Sequence, residues 1–123
     1  MSNEIVRIPT PMPVPFSKAV KAGGFIFVSG QLAMDANANI IDGDITVQTR
    51  VVLERIAATL VEAGASMADV VRTTIWLGNL DDFAAFNEEY RKHFTQGLPA
   101  RSTVQAVLYR NAAVEIAVQA YKV

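Results

Sequence analysis

The sequence predicts an α/β (α+β) fold, a mixed six-stranded sheet with two helices on one face, built as a single domain over residues 1–123. Three observations predict it. Two stretches carry apolar residues at helical spacing, and runs rich in β-branched and aromatic residues stand before, between and after them. Hydrophobic residues make up 51% and charged residues 19% of 123 residues, the composition of one compact chain that buries a core without disulfides or metals. The element order, strand, hairpin, helix, strand, helix, strand, strand, contains two βαβ passages and an antiparallel hairpin at each end, which only a mixed sheet accommodates.

Taken in order, Glu4–Ile8 is a short strand closed by Pro9, Pro11, Pro13 and Pro15, which cannot donate to a central ladder, so 9–15 reads as an extended loop. Ser17–Ala22 and Phe25–Val28 form a hairpin about the Gly23-Gly24 turn, and Ser29-Gly30-Gln31 is expected to break its second strand. Asp35–Asp44 is polar and turn-rich, the pattern of a mobile loop. A helix starts near Ile45 with Asp44 or Thr46 as cap; Val52, Leu53, Ile56, Ala57, Leu60 and Ala63 form its core stripe, and Gly64 stops it. Ser66–Asp69 connects it to a strand over Val70–Leu77. Asn79, Asp81 and Asp82 start the second helix, which runs to about Phe94 with Phe83, Phe86 (or Asn87), Tyr90 and Phe94 at spacings of three and four. Gly97 is read as its left-handed cap and Pro99 as its stop. Arg101–Leu108 and Ala113–Lys122 are the last strands, joined by a turn at Arg110-Asn111. With both helices on one face, the other face is left apolar and uncovered, and self-association is its natural remedy.

Composition also removes function classes. The net charge is -1, so no basic field gathers phosphates. Cysteine is absent, which excludes thiolate nucleophiles and thiolate metal sites, and His93 is the sole histidine, which leaves little for a Ser-His-Asp triad or a zinc site. Met1 to Pro15 lacks the pattern of a signal peptide, and no apolar run reaches the roughly 20 residues of a membrane span, so the chain reads as soluble and cytoplasmic.

The candidate site begins at Gly97–Thr103, which places Arg101 at the start of a strand where a guanidinium can hold an anion. Strand alternation puts Arg101, Thr103, Gln105 and Val107 on one face. In the last strand Val114, Ile116, Val118 and Ala120 look inward, while Glu115, Ala117, Gln119 and Tyr121 form the opposite face. Glu115 is a lone carboxylate there; a hairpin at Arg110-Asn111 would bring it near the strand of Arg101, either as a structural ion pair or as a functional acid. Ser29 reads as a turn hydroxyl or a ligand hydroxyl, Asn87 as a solvent-facing or cleft residue, and His93 as a structural complement to a helix C-terminus. Trp76 and the phenylalanines read as core.

The order and spacing of Val28-Ser29-Gly30-Gln31, Gln48-Thr49-Arg50 to Gly64, Val70–Thr74 before Asp81-Asp82-Phe83, Asn87, Pro99-Ala100-Arg101-Ser102-Thr103 and Val114-Glu115-Ile116 resemble the RidA/YjgF family of reactive-intermediate deaminases, over about Pro15 to Val123. The resemblance implies a chorismate-mutase-like fold and a homotrimer whose sheets line a central barrel, with ligand clefts between subunits. It implies hydrolysis of enamine/imine acids such as 2-aminoacrylate to 2-keto acids and ammonia, without cofactor or metal. Arg101 matches the family's substrate-carboxylate arginine and Glu115 its water-positioning glutamate. Backbone at Thr103 matches the place where that water is held, and Ser29 and Asn87 fall at cleft-lining positions. Phe16 stands where many active members carry a tyrosine that touches ligand, and Thr103 where the best-known members carry a cysteine.

That chemistry suits so sparse an inventory. An imine carbon is electrophilic once its nitrogen is protonated, so the site needs orientation rather than a nucleophilic side chain. A guanidinium gripping a carboxylate through two parallel hydrogen bonds supplies it, each such bond contributing about 1.5–3 kcal/mol. The alternatives are a pathway-specific deaminase of a larger unsaturated amino acid and a non-catalytic trimer that binds a carboxylate. The ribonuclease activity attached to some family names finds little support in a net charge of -1 and one histidine.

Overall fold

The computed structural model describes residues 4–123. Its strands are β1 (Val6–Ile8), β2 (Ala19–Ala22), β3 (Phe25–Leu32), β4 (Val70–Leu77), β5 (Ala100–Gln105) and β6 (Val114–Tyr121), and its helices α1 (Ile45–Glu62) and α2 (Phe83–Arg91). They form one six-stranded sheet in the order β1-β2-β3-β6-β4-β5. β4 and β5 pair in parallel and the other neighbours are antiparallel, so the sheet is mixed, as the element order requires.

The strand order corrects the expected hairpin at Arg110-Asn111. β6 does not pair with β5; it lies between β3 and β4, antiparallel to both. The connection is instead a 3-10 turn over Tyr109–Asn111, in which Arg110 and Asn111 hold φ of 51° and 58°, and it carries the chain across the end of β4. Ser29-Gly30-Gln31 does not break β3 either. The strand runs through them to Leu32, with its register against β6 shifting between Val28 and Gln31, the mark of a bulge. The 35–44 loop closes on itself, for Asp35 accepts the amides of Asn37 and Asn39 and Met34 bridges Ile40.

Local chemistry explains the helices. The Asp44 carboxylate accepts the Val47 amide at 3.0 Å, an N-cap that contributes about 0.5–2 kcal/mol. α1 ends before Gly64, whose φ is 90°. α2 is shorter than its spacing suggests: it ends at Arg91, and Gly97 stands well beyond that end with φ 151°, in the connection to β5 rather than as a cap.

Both helices cover one face of the sheet. Val52, Leu53, Ile56 and Leu60 of α1 and Phe86 and Tyr90 of α2 pack over Ile75, Leu77, Val114 and Ile116, all buried. Each such side chain contributes about 1.5–3 kcal/mol on burial. Among the described residues no helix covers the opposite face, and Phe25, Phe27, Val104 and Tyr121 stand exposed on it. Trp76 lies half-buried on that face, because β4 alternates and Ile75 and Leu77 take the covered side. The expectation that Trp76 and all phenylalanines are core therefore fails for Trp76, Phe16, Phe25, Phe27 and Phe83. Among the described residues no helix is long and apolar enough to cross a membrane.

Candidate active site

Arg101 lies on β5, the edge strand, and points toward the helices. Its register partner on β4 is the buried Thr73, and that of Thr103 is the buried Ile75. The Arg101 Nε–H donates to Thr103 Oγ1 at 2.7 Å. The guanidinium carbon sits 5.4, 5.0 and 4.9 Å from the ring centres of Phe83, Phe86 and Tyr90, so α2 supplies an aromatic bed for the cation. The Tyr90 hydroxyl is fixed in turn by Thr73 Oγ1 at 2.8 Å. Burial draws Arg101 below the usual guanidinium value, with Tyr90 acting weakly the other way, and burial pushes the Tyr90 phenol up. Thr103 and the rings occupy Nε and the faces of the guanidinium, which leaves its terminal nitrogens for a ligand.

That ligand would enter a cleft of about 530 Å³ between α2 and the start of β5, walled by Phe83, Leu98 and Pro99 besides Arg101 and Thr103. Asn87 and Arg91 line the same cleft. Asn87 does not simply face solvent: its Oδ1 is buried without a hydrogen-bond partner. Ala106 N–H donates to Leu77 across to β4, so strand alternation turns the backbone groups of Thr103 away from β4, to the open edge.

Glu115 is elsewhere. It pairs in register with Trp76 on β4 and Leu32 on β3, and it points to the uncovered face while Val114 and Ile116 point to the core. β4 separates it from β5, so within one chain Arg101 and Glu115 lie on opposite sides of the sheet, which corrects the expected proximity. Glu115 has no ion pair or side-chain hydrogen bond with the described residues, and burial raises its carboxyl above the ordinary value. A Cβ built on Gly30 would collide with the Glu115 carboxylate, so the bulged segment of β3 leaves the space this side chain fills.

Ser29 neighbours that segment. Its hydroxyl donates to the Ser17 carbonyl at 2.6 Å, and its amide to that of Lys18 at 3.0 Å, which ties the loop bearing the exposed Phe16 to β3. Its hydroxyl thus serves the turn. His93 faces the buried Glu89, with Nε2 and Oε2 2.8 Å apart, and takes no part in the cleft. Burial pushes the Glu89 carboxyl up, but contacts from His93, Arg50 and Lys92 outweigh it and hold it below its usual value.

A family model described as Endoribonuclease L-PSP matches residues 9–122. The chain belongs to the RidA/YjgF family. This RidA-family chain is 42% identical to a RutC family protein of Pyrococcus abyssi over 99% of each chain. It is 38% identical to a protein of Dermatophagoides farinae named 2-iminobutanoate/2-iminopropanoate deaminase, covering 93% of this chain and 92% of that one. The crystal structure of the Rid-family protein YyfA of Yersinia pestis matches with a TM-score of 0.90 at 34% identity, over 96% of this chain and 99% of that one.

Three parts of this RidA-family site were missed in sequence. The Tyr90 ring under Arg101 reads from its spacing as plain core, which it also is. Gly30 reads as a strand breaker, because the carboxylate it accommodates is 85 residues away in sequence. Arg91 was legible, since Phe83, Asn87 and Arg91 stand four apart and share one helix face.

Proposed function

We propose that this chain is a cofactor-independent deaminase that hydrolyses small 2-imino and 2-enamino acids, of the 2-aminoacrylate type, to 2-keto acids and ammonia. The observation that carries the reading is the Arg101 guanidinium, bedded on three rings and held by Thr103 with its terminal nitrogens free at an open cleft. Membership of a family with a relative named as an imine deaminase supports it.

In this reading residues 1–123 act as one domain of a homotrimer whose uncovered sheet faces meet around the centre. Arg101, Thr103 and Asn87 of one copy then face Glu115, Ser29 and Phe16 of its neighbour. Arg101 binds the substrate carboxylate, and Phe16 closes the cleft with an apolar ring. Water adds to the carbon of the protonated imine: a C–O bond forms, the C=N π pair moves to nitrogen, and Glu115 takes a water proton. The proton then passes to the amine, Glu115 takes the hydroxyl proton as the carbonyl forms, and the C–N bond breaks to release ammonia. A carboxyl raised by burial is a better base for this step than an ordinary glutamate. The thin charge of the chain fits a cytoplasmic enzyme of small molecules without nucleic-acid or membrane partners.

The test is to generate 2-aminoacrylate in situ with a dehydratase and follow keto-acid formation. Arg101→Ala is expected to lower kcat/KM by about 10- to 150-fold. Equal rates for wild type and Arg101→Ala would sink the reading. Tight binding of a keto acid without turnover would favour a carboxylate-binding trimer instead.

A further inference from the structure

Arg91 is unused by the reaction just described, yet it opens on the same cleft as Arg101. It is the basic residue of the last turn of α2, exposed, and it has no ion pair or side-chain hydrogen bond with the described residues. Phe83, Asn87 and Arg91 form one stripe along the helix, apolar, then amide, then cation, with Asn87 and Arg91 about 6 Å apart along the axis. Among the described residues of a single chain no aspartate or glutamate lines this cleft, so neither guanidinium is neutralised from within its own chain. The buried Oδ1 of Asn87, one helical turn before Arg91 on this stripe, has no hydrogen-bond partner.

We infer that Arg91 reads a second anionic group, and that the cleft prefers 2-imino dicarboxylates of four or five carbons over the monocarboxylates of similar length. This rests on the proposed binding of a substrate carboxylate by Arg101. With one carboxylate on Arg101, the chain of such a ligand runs along the Asn87 stripe and its far carboxylate meets the Arg91 guanidinium. The hydrolytic step is unchanged, because the second carboxylate does not react. An exposed guanidinium acts through a screened field, so the preference is modest and falls as salt rises.

Binding of the product keto acids tests this without requiring turnover. Calorimetry of the full chain with oxaloacetate and 2-oxoglutarate, against pyruvate and 2-oxobutanoate, is expected to give about 5- to 10-fold tighter binding of the dicarboxylates at low salt. The ratio is expected to collapse toward one in Arg91→Ala, to be partly kept in Arg91→Lys, and to invert in Arg91→Glu. All four ligands are expected to weaken together in Arg101→Ala. If the monocarboxylates bind through Arg101 but the ratio is one in wild type, or survives Arg91→Ala, the inference is overturned and the anchor stands. If none of the four binds in an Arg101-dependent way, the anchor itself falls, and this inference with it.

Discussion

The two faces of the sheet are built on opposite terms. The helix-covered face is complete within one chain: Ile75, Leu77, Val114 and Ile116 are sealed under α1 and α2, and even the cation at its margin, Arg101, is bedded on rings and tied to Thr103. The uncovered face presents Phe25, Phe27, Val104 and Tyr121 to solvent around a carboxylate, Glu115, that has no ion pair among the described residues. One face is thus organised for folding, and the other is the one that would meet a second copy in the proposed assembly. Stability and assembly should therefore be separable by mutation, and the candidate site should depend on both.

The sharpest break of that contrast comes from the uncovered face. Phe27→Asp is expected to leave the helix content of the chain intact, reduce its sedimenting mass to that of one chain, and abolish deamination altogether. A variant that still assembles would contradict the role given to this face. On the covered face, Phe86→Ala removes a fully buried ring and is expected to cost about 3–5 kcal/mol of unfolding free energy in denaturant titration. It would also lower activity through the loosened Arg101, and a loss below about 1 kcal/mol would show that the ring is not a core element.

The smallest effect is one of pH. Burial raises the Glu115 carboxyl above its ordinary 4.5, so its base form is lost, and the rate falls, as pH drops through that raised value. Glu115→Gln is expected to lose activity and the acid limb together. Stability moves oppositely: a raised folded-state value penalises the charged form, a cost present above that value and gone below the unfolded one. Glu115→Gln is thus expected to melt slightly higher at neutral pH, with the difference vanishing in acid. An acid limb that persists in Glu115→Gln would assign it to another group.

Much of this was legible in sequence because local pattern and tertiary fold agree. The α1 stripe and the inward set of β6 follow from period, the limits of β4 from its β-branched residues, and of the two caps the sequence offers for α1, Asp44 and Thr46, the structure uses Asp44. Pairing was not legible. Nothing in Arg110-Asn111 distinguishes a hairpin turn from one that crosses a neighbouring strand, and the insertion of β6 between β3 and β4 is a long-range choice. The site inherited that limit. Alternation correctly put Arg101 with Thr103 and Glu115 opposite Ile116, but without the strand order the two groups looked adjacent. The uncovered apolar face is the feature that, in the proposed assembly, would let them meet across chains.

If Arg101 and Glu115 act from different chains, as proposed, two impaired chains should complement each other. Arg101→Ala and Glu115→Gln, each at least about 10-fold below wild type alone, are unfolded together in equal amounts and refolded as mixed assemblies. In a closed ring, a site that takes Arg101 from one chain and Glu115 from the next is intact at about a quarter of interfaces, and activity should return to about that fraction of wild type. A mixture no more active than its separate components would place both groups in the same chain.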